Sequence, residues 1–432
     1  MRLSRTIHIV VLASAVAGSA FAQVHARQVM PTAQPRHARV FAWRIDAPKP
    51  SLTAPGQPSS SCEPSANACF YTPGNLQTAY GPGFIANSNG GAGITVAIVD
   101  AFYNSQTASD AATYSTAYGL PQFTCTSGPS ATPCLTIAGQ TGTTCPTGCT
   151  AAPNNTNGQG WAQETNLDIA AVHTMAPNAN ILLVTANSDA NNNLYAAEEY
   201  AYKHANVVTN SWGSDEASGE TIDESVFSAS SVPLLFSAGD KGAVTEYPCV
   251  SAFTVCVGGT RLITSSSSFR TAESAWGGSD TSGGGGGGCS SFITAPNFQS
   301  GFSTTACGSA RGVPDIAALA DEYTGLIIYL GTFAGAGTAG YAVYGGTSLA
   351  SPLMAGVFAD IDADIASNSE PVLGSNLNSL LYGAAANPFY YFRFYDVTTG
   401  STGFAAGSGW DQATGLGVIL GPSLAAYLVN QQ

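Results

Sequence analysis

Short apolar runs recur along the chain from residue 94 onward, separated by longer stretches of mixed polarity. The runs at 94–100 (ITVAIVD), 181–184 (ILLV), 206–210 (NVVTN) and 233–237 (PLLFS) have the length and β-branched content of buried strands. Between them, the spacing of apolar positions predicts helices over 161–175, 194–205 and around 220–230. Strands that are apolar on both faces and alternate with helices predict an α/β fold, a parallel sheet covered on both sides. A functional site on such a sheet lies beyond the carboxyl ends of its strands, and the first run ends there in Asp100. The run at 349–361 (LASPLMAGVFADI) reads as one more buried helix.

Other segments lack this patterning. Residues 23–60 are rich in Pro, Arg, Ala and Ser without a period, which predicts an extended leader or linker, with ordered structure starting near 69–71. Glycines 283–288 predict a flexible surface loop or an unstructured insert. The expected division is 1–22, 23–68 and a single large domain over 69–432.

Residues 1–22 read as a secretory signal. Arg2 and Arg5 precede an apolar stretch, and Ala20-Phe21-Ala22 forms a small-residue cleavage site. The stretch is too short to span a bilayer comfortably, so the protein is expected outside the cell, or in the periplasm of a Gram-negative one. Export changes the reading of the 10 cysteines. They fall into local couples, Cys62/Cys69, Cys125/Cys134, Cys145/Cys149, Cys249/Cys256 and Cys289/Cys307, and nearest-neighbour disulfides are the simplest pairing. Zinc is excluded by the scarcity of histidine and the absence of paired CxxC couples.

Charge narrows the function. Residues 1–50 hold 7 of the 13 basic residues and 1 of the 27 acidic ones, leaving 6 against 26 and a formal charge of −20 beyond them. No basic footprint exists for a nucleic acid. A chain with few cations suffers little self-repulsion when its carboxylates protonate, which suits an acidic environment.

Candidate chemistry centres on Gly345-Gly346-Thr347-Ser348, which runs into the buried 349–361 helix. A serine at a glycine turn and a helix start has free amide groups and a positive dipole beside its oxygen, as an acyl-enzyme and its oxyanion need. An N-capping role is the plain alternative. Glu164 and Asp168 lie four apart in an otherwise apolar helical stretch without Lys or Arg, so they share one face. Two carboxylates that close titrate jointly, and one keeps its proton to higher pH. Such a pair can act as a general base for a serine in mild acid. Only His173 and His204 lie beyond the leader; His173 faces away from the acid pair and His204 ends a helix beside Lys203, so both read as structural. A serine with paired acids and no usable histidine points to a carboxylate-based serine peptidase.

In this order the motifs resemble the sedolisin family, the serine-carboxyl peptidases with a subtilisin-like fold, from about Tyr71 to the C-terminus. The resemblance implies that Ser348 is the nucleophile, Glu164 its base, and Asp168 the residue that orients Glu164 and shares its proton. Phe236-Ser237-Ala238-Gly239-Asp240 resembles the oxyanion motif, with Asp240 a neutral acid that donates a hydrogen bond. Ser211-Trp212-Gly213 resembles the edge on which substrate backbone pairs as an added strand. Asp396, Val397, Gly407, Gly409 and Asp411 resemble the family's calcium site, two carboxylates with three backbone carbonyls. Arg311 to Asp315 reads as structural support, and Asp100 as a supporting residue, since the histidine that subtilisins place against such an aspartate is missing. The family's large prosegment has only residues 23–68 as its counterpart. The expected protein is an exported, monomeric, acid-acting endopeptidase for polypeptides, with no nucleic-acid or membrane partner. An inactive peptidase-like binding protein and a disulfide-stapled adhesin are the alternatives.

Overall fold

The four apolar runs become neighbours in one sheet of the computed structural model. It describes residues 38–45, 70–81, 89–126, 132–278, 281, 283–386 and 388–431. The signal reading, most of the leader and the Cys62/Cys69 couple lie outside these residues. The strands are β1 (Arg39–Val40), β2 (Trp43–Ile45), β3 (Thr95–Ala101), β4 (Leu135–Gly139), β5 (Asn180–Ala186), β6 (Val207–Asn210), β7 (Trp212–Asp215), β8 (Leu234–Ser237), β9 (Glu246–Tyr247), β10 (Val255–Thr264) and β11 (Arg270–Ala275), with further strands after them. The central sheet has the order β11-β10-β8-β6-β3-β5-β4, with Ile316–Leu319 also on β10. All neighbours in it are parallel except β10 and β11.

Alternation along β3 explains the two-sided covering. Val96 and Ile98 join the core on one face of the sheet, with helices α1 (Thr156–Met175) and α3 (Thr347–Ser367). Ala97 and Val99 join the core on the other, with α2 (Asn191–Tyr202). Successive strand residues point to opposite faces, so a continuous apolar run feeds both layers. The α/β subtilisin-like architecture expected from the sequence is present.

Helix α1 starts earlier than its apolar pattern, because Asn155 caps it: its side chain accepts from Gly158 N at 3.0 Å. Such a cap contributes about 1 kcal/mol. The stretch around 220–230 is a 3-10 turn, Glu220–Ile222, and a short helix, Glu224–Ser228. Four of the predicted couples are disulfides: Cys125–Cys134, Cys145–Cys149, Cys249–Cys256 and Cys289–Cys307. Among the described residues, no helix is long and apolar enough to cross a membrane.

Two expectations fail. Ordered structure does not begin near residue 69, since β1 and β2 form inside the segment read as a leader. Glycines 284–288 are buried, not a surface loop. A Cβ on Gly286 would lie 1.9 Å from the Ala238 carbonyl oxygen, so the run is glycine because two backbones touch there.

Candidate functional site

Helix α3 begins at the carboxyl ends of the central strands, and its first turn carries Thr347 and Ser348. Gly346 precedes it at φ 98°, where a Cβ would be 1.9 Å from the Phe41 carbonyl oxygen and 2.6 Å from Asp240 Oδ2. Only glycine fits that backbone and that approach. Further along, Pro352 supplies no N–H to the carbonyl of Ser348 one turn back. That freed carbonyl has the Ser211 hydroxyl at 3.3 Å instead.

Helix α1 brings Glu164 and Asp168 to the same place, both fully buried. Ser211 Oγ donates to Asp168 Oδ1 at 2.8 Å, and Ser348 Oγ donates to the Ser211 carbonyl at 3.4 Å. Both Glu164 oxygens lack a hydrogen-bond partner among the described residues. Burial pushes Glu164 well above the ordinary carboxylate range, and repulsion from Asp100 adds to this, while the nearby Ser348 hydroxyl acts the other way. Asp168 is also raised, by burial first and then by Asp100 and Glu164. Asp100, at the end of β3, is pushed up to about 7 by burial. The three acids therefore titrate as one cluster. Asp100 belongs to it more closely than its sequence position alone suggests.

Asp240 lies in the loop after β8 and is raised well above the usual range by burial. Its Oδ1 accepts from Thr347 N and Thr347 Oγ1, each at 2.8 Å, and Gly239 N donates to Thr347 Oγ1 at 3.0 Å. The glycine run holds this loop from behind: Gly286 N donates to the Gly239 carbonyl at 2.7 Å and Gly284 N to the Asp240 carbonyl at 3.2 Å. Sequence reasoning missed Thr347 and the glycine run, although Thr347 adjoins Ser348 and the run could be seen as an unusual demand for close packing.

The groove is filled by the chain itself. Strand β1 pairs antiparallel with β7, Arg39 opposite Gly213 and Val40 opposite Trp212. Ser348 N donates to the Phe41 carbonyl at 3.2 Å, and Phe41 N donates to Ser348 Oγ at 3.1 Å. Strand β2 then pairs with the Gly340–Gly345 strand, Trp43 opposite Gly345. Residues 39–45 thus lie as an extended peptide on both sides of Ser348, with the carbonyl of Phe41 facing the helix start. Ser211, Trp212 and Gly213 form the inner edge beneath it.

Neither histidine takes part. His173 Nε2 lies 2.9 Å from the Pro121 carbonyl oxygen, its ring packs on Phe123, and burial lowers it to about 4. His204 Nδ1 lies 2.7 Å from the Tyr200 carbonyl oxygen. Arg311 and Asp315 form a fully buried bidentate pair, as structural support requires.

Near the C-terminus, Asp396 accepts from Gly409 N at 3.1 Å and Asp411 from Gly407 N at 2.9 Å, which gathers both carboxylates on one loop cluster. Among the described residues, the carbonyls of Val397, Gly407 and Gly409 accept no hydrogen bond. Those free carbonyls beside two carboxylates fit a hard cation. No group of three or more His, Cys, Asp or Glu suited to a metal occurs among the described residues.

Residues 91–415 match the subtilase family (peptidase S8). Kumamolisin of Bacillus sp. (strain MN-32) is 29% identical over 341 residues, 72% of this chain and 57% of its own length. Sedolisin of Pseudomonas sp. (strain 101) is 30% identical over 198 residues, 42% of this chain and 30% of its own length. The chain thus spans 57% of the first of these relatives and 30% of the second. The solved structure of Pseudomonas sedolisin, a serine-carboxyl proteinase complexed with two molecules of pseudo-iodotyrostatin, superposes with a TM-score of 0.67 at 26% identity, covering 84% of this chain and 99% of that one. Sharing that fold over 84% of its length, and carrying a serine among buried acids that no described histidine reaches, the chain belongs to the subtilase family as one of its sedolisins.

Proposed function

We propose that the chain is an exported serine-carboxyl endopeptidase that hydrolyses polypeptides in acid. One observation carries this reading: residues 39–45 lie across Ser348 in the extended form of a substrate, with the Phe41 carbonyl bonded to Ser348 N at 3.2 Å. Peptide continues on both sides of that carbonyl, which favours cleavage within chains over trimming of ends.

In the proposed reaction, Ser348 Oγ attacks the carbonyl carbon and passes its proton to Glu164. Asp168 and Asp100 keep the carboxyl cluster from ionising fully, so it can hold that proton in acid. The oxyanion receives Ser348 N–H and the protonated Asp240 Oδ2, whose other oxygen already takes both Thr347 donors. Collapse breaks the C–N bond, the leaving amine takes the proton from Glu164, and water then releases the acyl group by the same route. The acids need protons, so the reaction belongs to acidic pH.

Export is supported by the signal-like residues 1–22 and by four disulfides. Asp396 and Asp411 with the carbonyls of Val397, Gly407 and Gly409 would hold a structural Ca²⁺, which would pin the C-terminal loops. The mechanism is tested by the pH–rate profile of Glu164→Gln. The reading requires loss of turnover at every pH; a neutral optimum that survives would restore a histidine mechanism.

A further inference from the structure

The side chain of Arg39, two residues before Phe41, meets two carboxylates. It reaches Asp215 Oδ1 at 2.5 Å and also forms a short ion pair with Glu246 Oε1. Those acids are cross-strand partners: Asp215 on β7 lies directly opposite Glu246 on β9. Like charges opposite each other in an antiparallel pair repel, so this ribbon needs a cation between them. Glu246 is 1% exposed and Arg39 is its partner in the groove, while Lys241 serves the exposed Asp215 at 2.7 Å. When residues 39–41 leave the groove, Glu246 loses that cation, and a basic side chain entering in their place restores it.

Neighbouring positions fix the register of whatever replaces them. The Phe41 ring is buried against Gly213, where a Cβ would come within 3.1 Å of its ring carbons, and the Arg39 guanidinium lies 5.7 Å from the ring centroid on the same side. Val40, between them, points to the other side by strand alternation. We propose that Glu246 and Asp215 form a cation subsite that selects polypeptides with Arg or Lys two residues before an aromatic residue whose carbonyl meets Ser348. This deepens the peptidase reading and rests on it. The hydrogen bond from Lys241 holds the Asp215 carboxyl below its ordinary range while burial raises Glu246, so Asp215 keeps its charge further into acid than Glu246 does.

The test uses the full-length protein after acid incubation and quenched fluorescent peptides Ala-X-Val-Phe-Ala-Trp, with X as Arg, Lys, Ala or Glu. The Arg and Lys peptides are expected to exceed the Ala peptide about tenfold in kcat/KM and the Glu peptide by more. Asp215→Asn, at a residue 63% exposed, and Glu246→Gln are each expected to shrink that ratio. Equal rates across the series in the wild type overturn the subsite. If no peptide is cut, the peptidase reading fails, and a second measurement still decides the subsite. In Ser348→Ala, hydrogen exchange over residues 38–45 is expected to speed up when Arg39→Ala is added; unchanged exchange overturns it.

Discussion

Both donors of Thr347 fall on a single oxygen of Asp240: its N and Oγ1 each lie 2.8 Å from Oδ1. Oδ2 is left without a hydrogen-bond partner among the described residues, and it and the Phe41 carbonyl oxygen both border the space in front of Gly346, where a protonated Oδ2 can donate to an oxyanion. Asp240→Ala is expected to lower kcat about 10²–10³-fold. Asp240→Asn keeps a donor that never ionises, so it should retain more activity than the alanine variant and extend the profile toward neutral pH. Profiles of kcat against pH check both, and identical profiles for the two variants would contradict the role.

Phe41 offers its carbonyl to Ser348 N, so the bond to Ala42 is the first one within reach. Acid incubation of the full chain is expected to give Ala42 as a new N-terminus, read by terminal sequencing, while Ser348→Ala stays intact there. A cut elsewhere within 38–45 would mean that this register is not the reactive one.

Stability should depend on pH in an unusual direction. Burial pushes Asp100 and Asp362 up to about 7 and Glu198 up to about 8. The same groups titrate near pH ~4 in an unfolded chain, so the folded protein binds more protons between pH ~4 and pH ~8. Their contribution is fully present below the unfolded value and is lost as pH rises through the folded ones. Asp215, held low by Lys241, works in the opposite sense at more acidic pH. The Tm is expected to be higher near pH ~4 than near pH ~8; calorimetry that finds the reverse contradicts the burial of these acids.

The glycine run makes a claim about packing. Gly286→Ala drives a Cβ to 1.9 Å from the Ala238 carbonyl, next to the Asp240 loop. It is expected to cost about 1–3 kcal/mol and to lower kcat as well. Gly160→Ala, on α1 with nothing within 4 Å of its Cβ, is expected to stabilise by about 0.5–1 kcal/mol. Thermal melts of the two variants side by side give the check.

The sheet was legible in the sequence because β3, β5, β6 and β8 are buried on both faces and so are built around short, mostly apolar runs. Strand β10 was not read, since Gly258, Gly259 and Arg261 interrupt its run where Pro314, Trp276 and Asp321 respectively pack against them. Ser348, Glu164 and Asp168 were legible from residue type and spacing, Asp240 only through the likeness of its segment to the family's oxyanion motif, and the fold brings the four together. What stayed hidden depends on long-range approach. Nothing local in Arg39-Val40-Phe41 marks it as the strand that lies on Trp212 and Gly213, and a run of glycines looks the same whether it is loose or pressed between backbones.

The calcium proposal has its own check. Chelation is expected to lower the Tm, and added Ca²⁺ to restore it in a concentration-dependent way. Asp411→Asn should weaken the response. A Tm indifferent to chelator would leave Asp396 and Asp411 as turn residues only.

The most direct measurement is cleavage of an unfolded protein substrate across acidic to neutral pH, wild type beside Ser348→Ala, both folded and disulfide-bonded. The account predicts turnover confined to acidic pH and abolished in the variant. Equal turnover in the two proteins, or none at any pH in the wild type after residues 38–45 have left the groove, would contradict it.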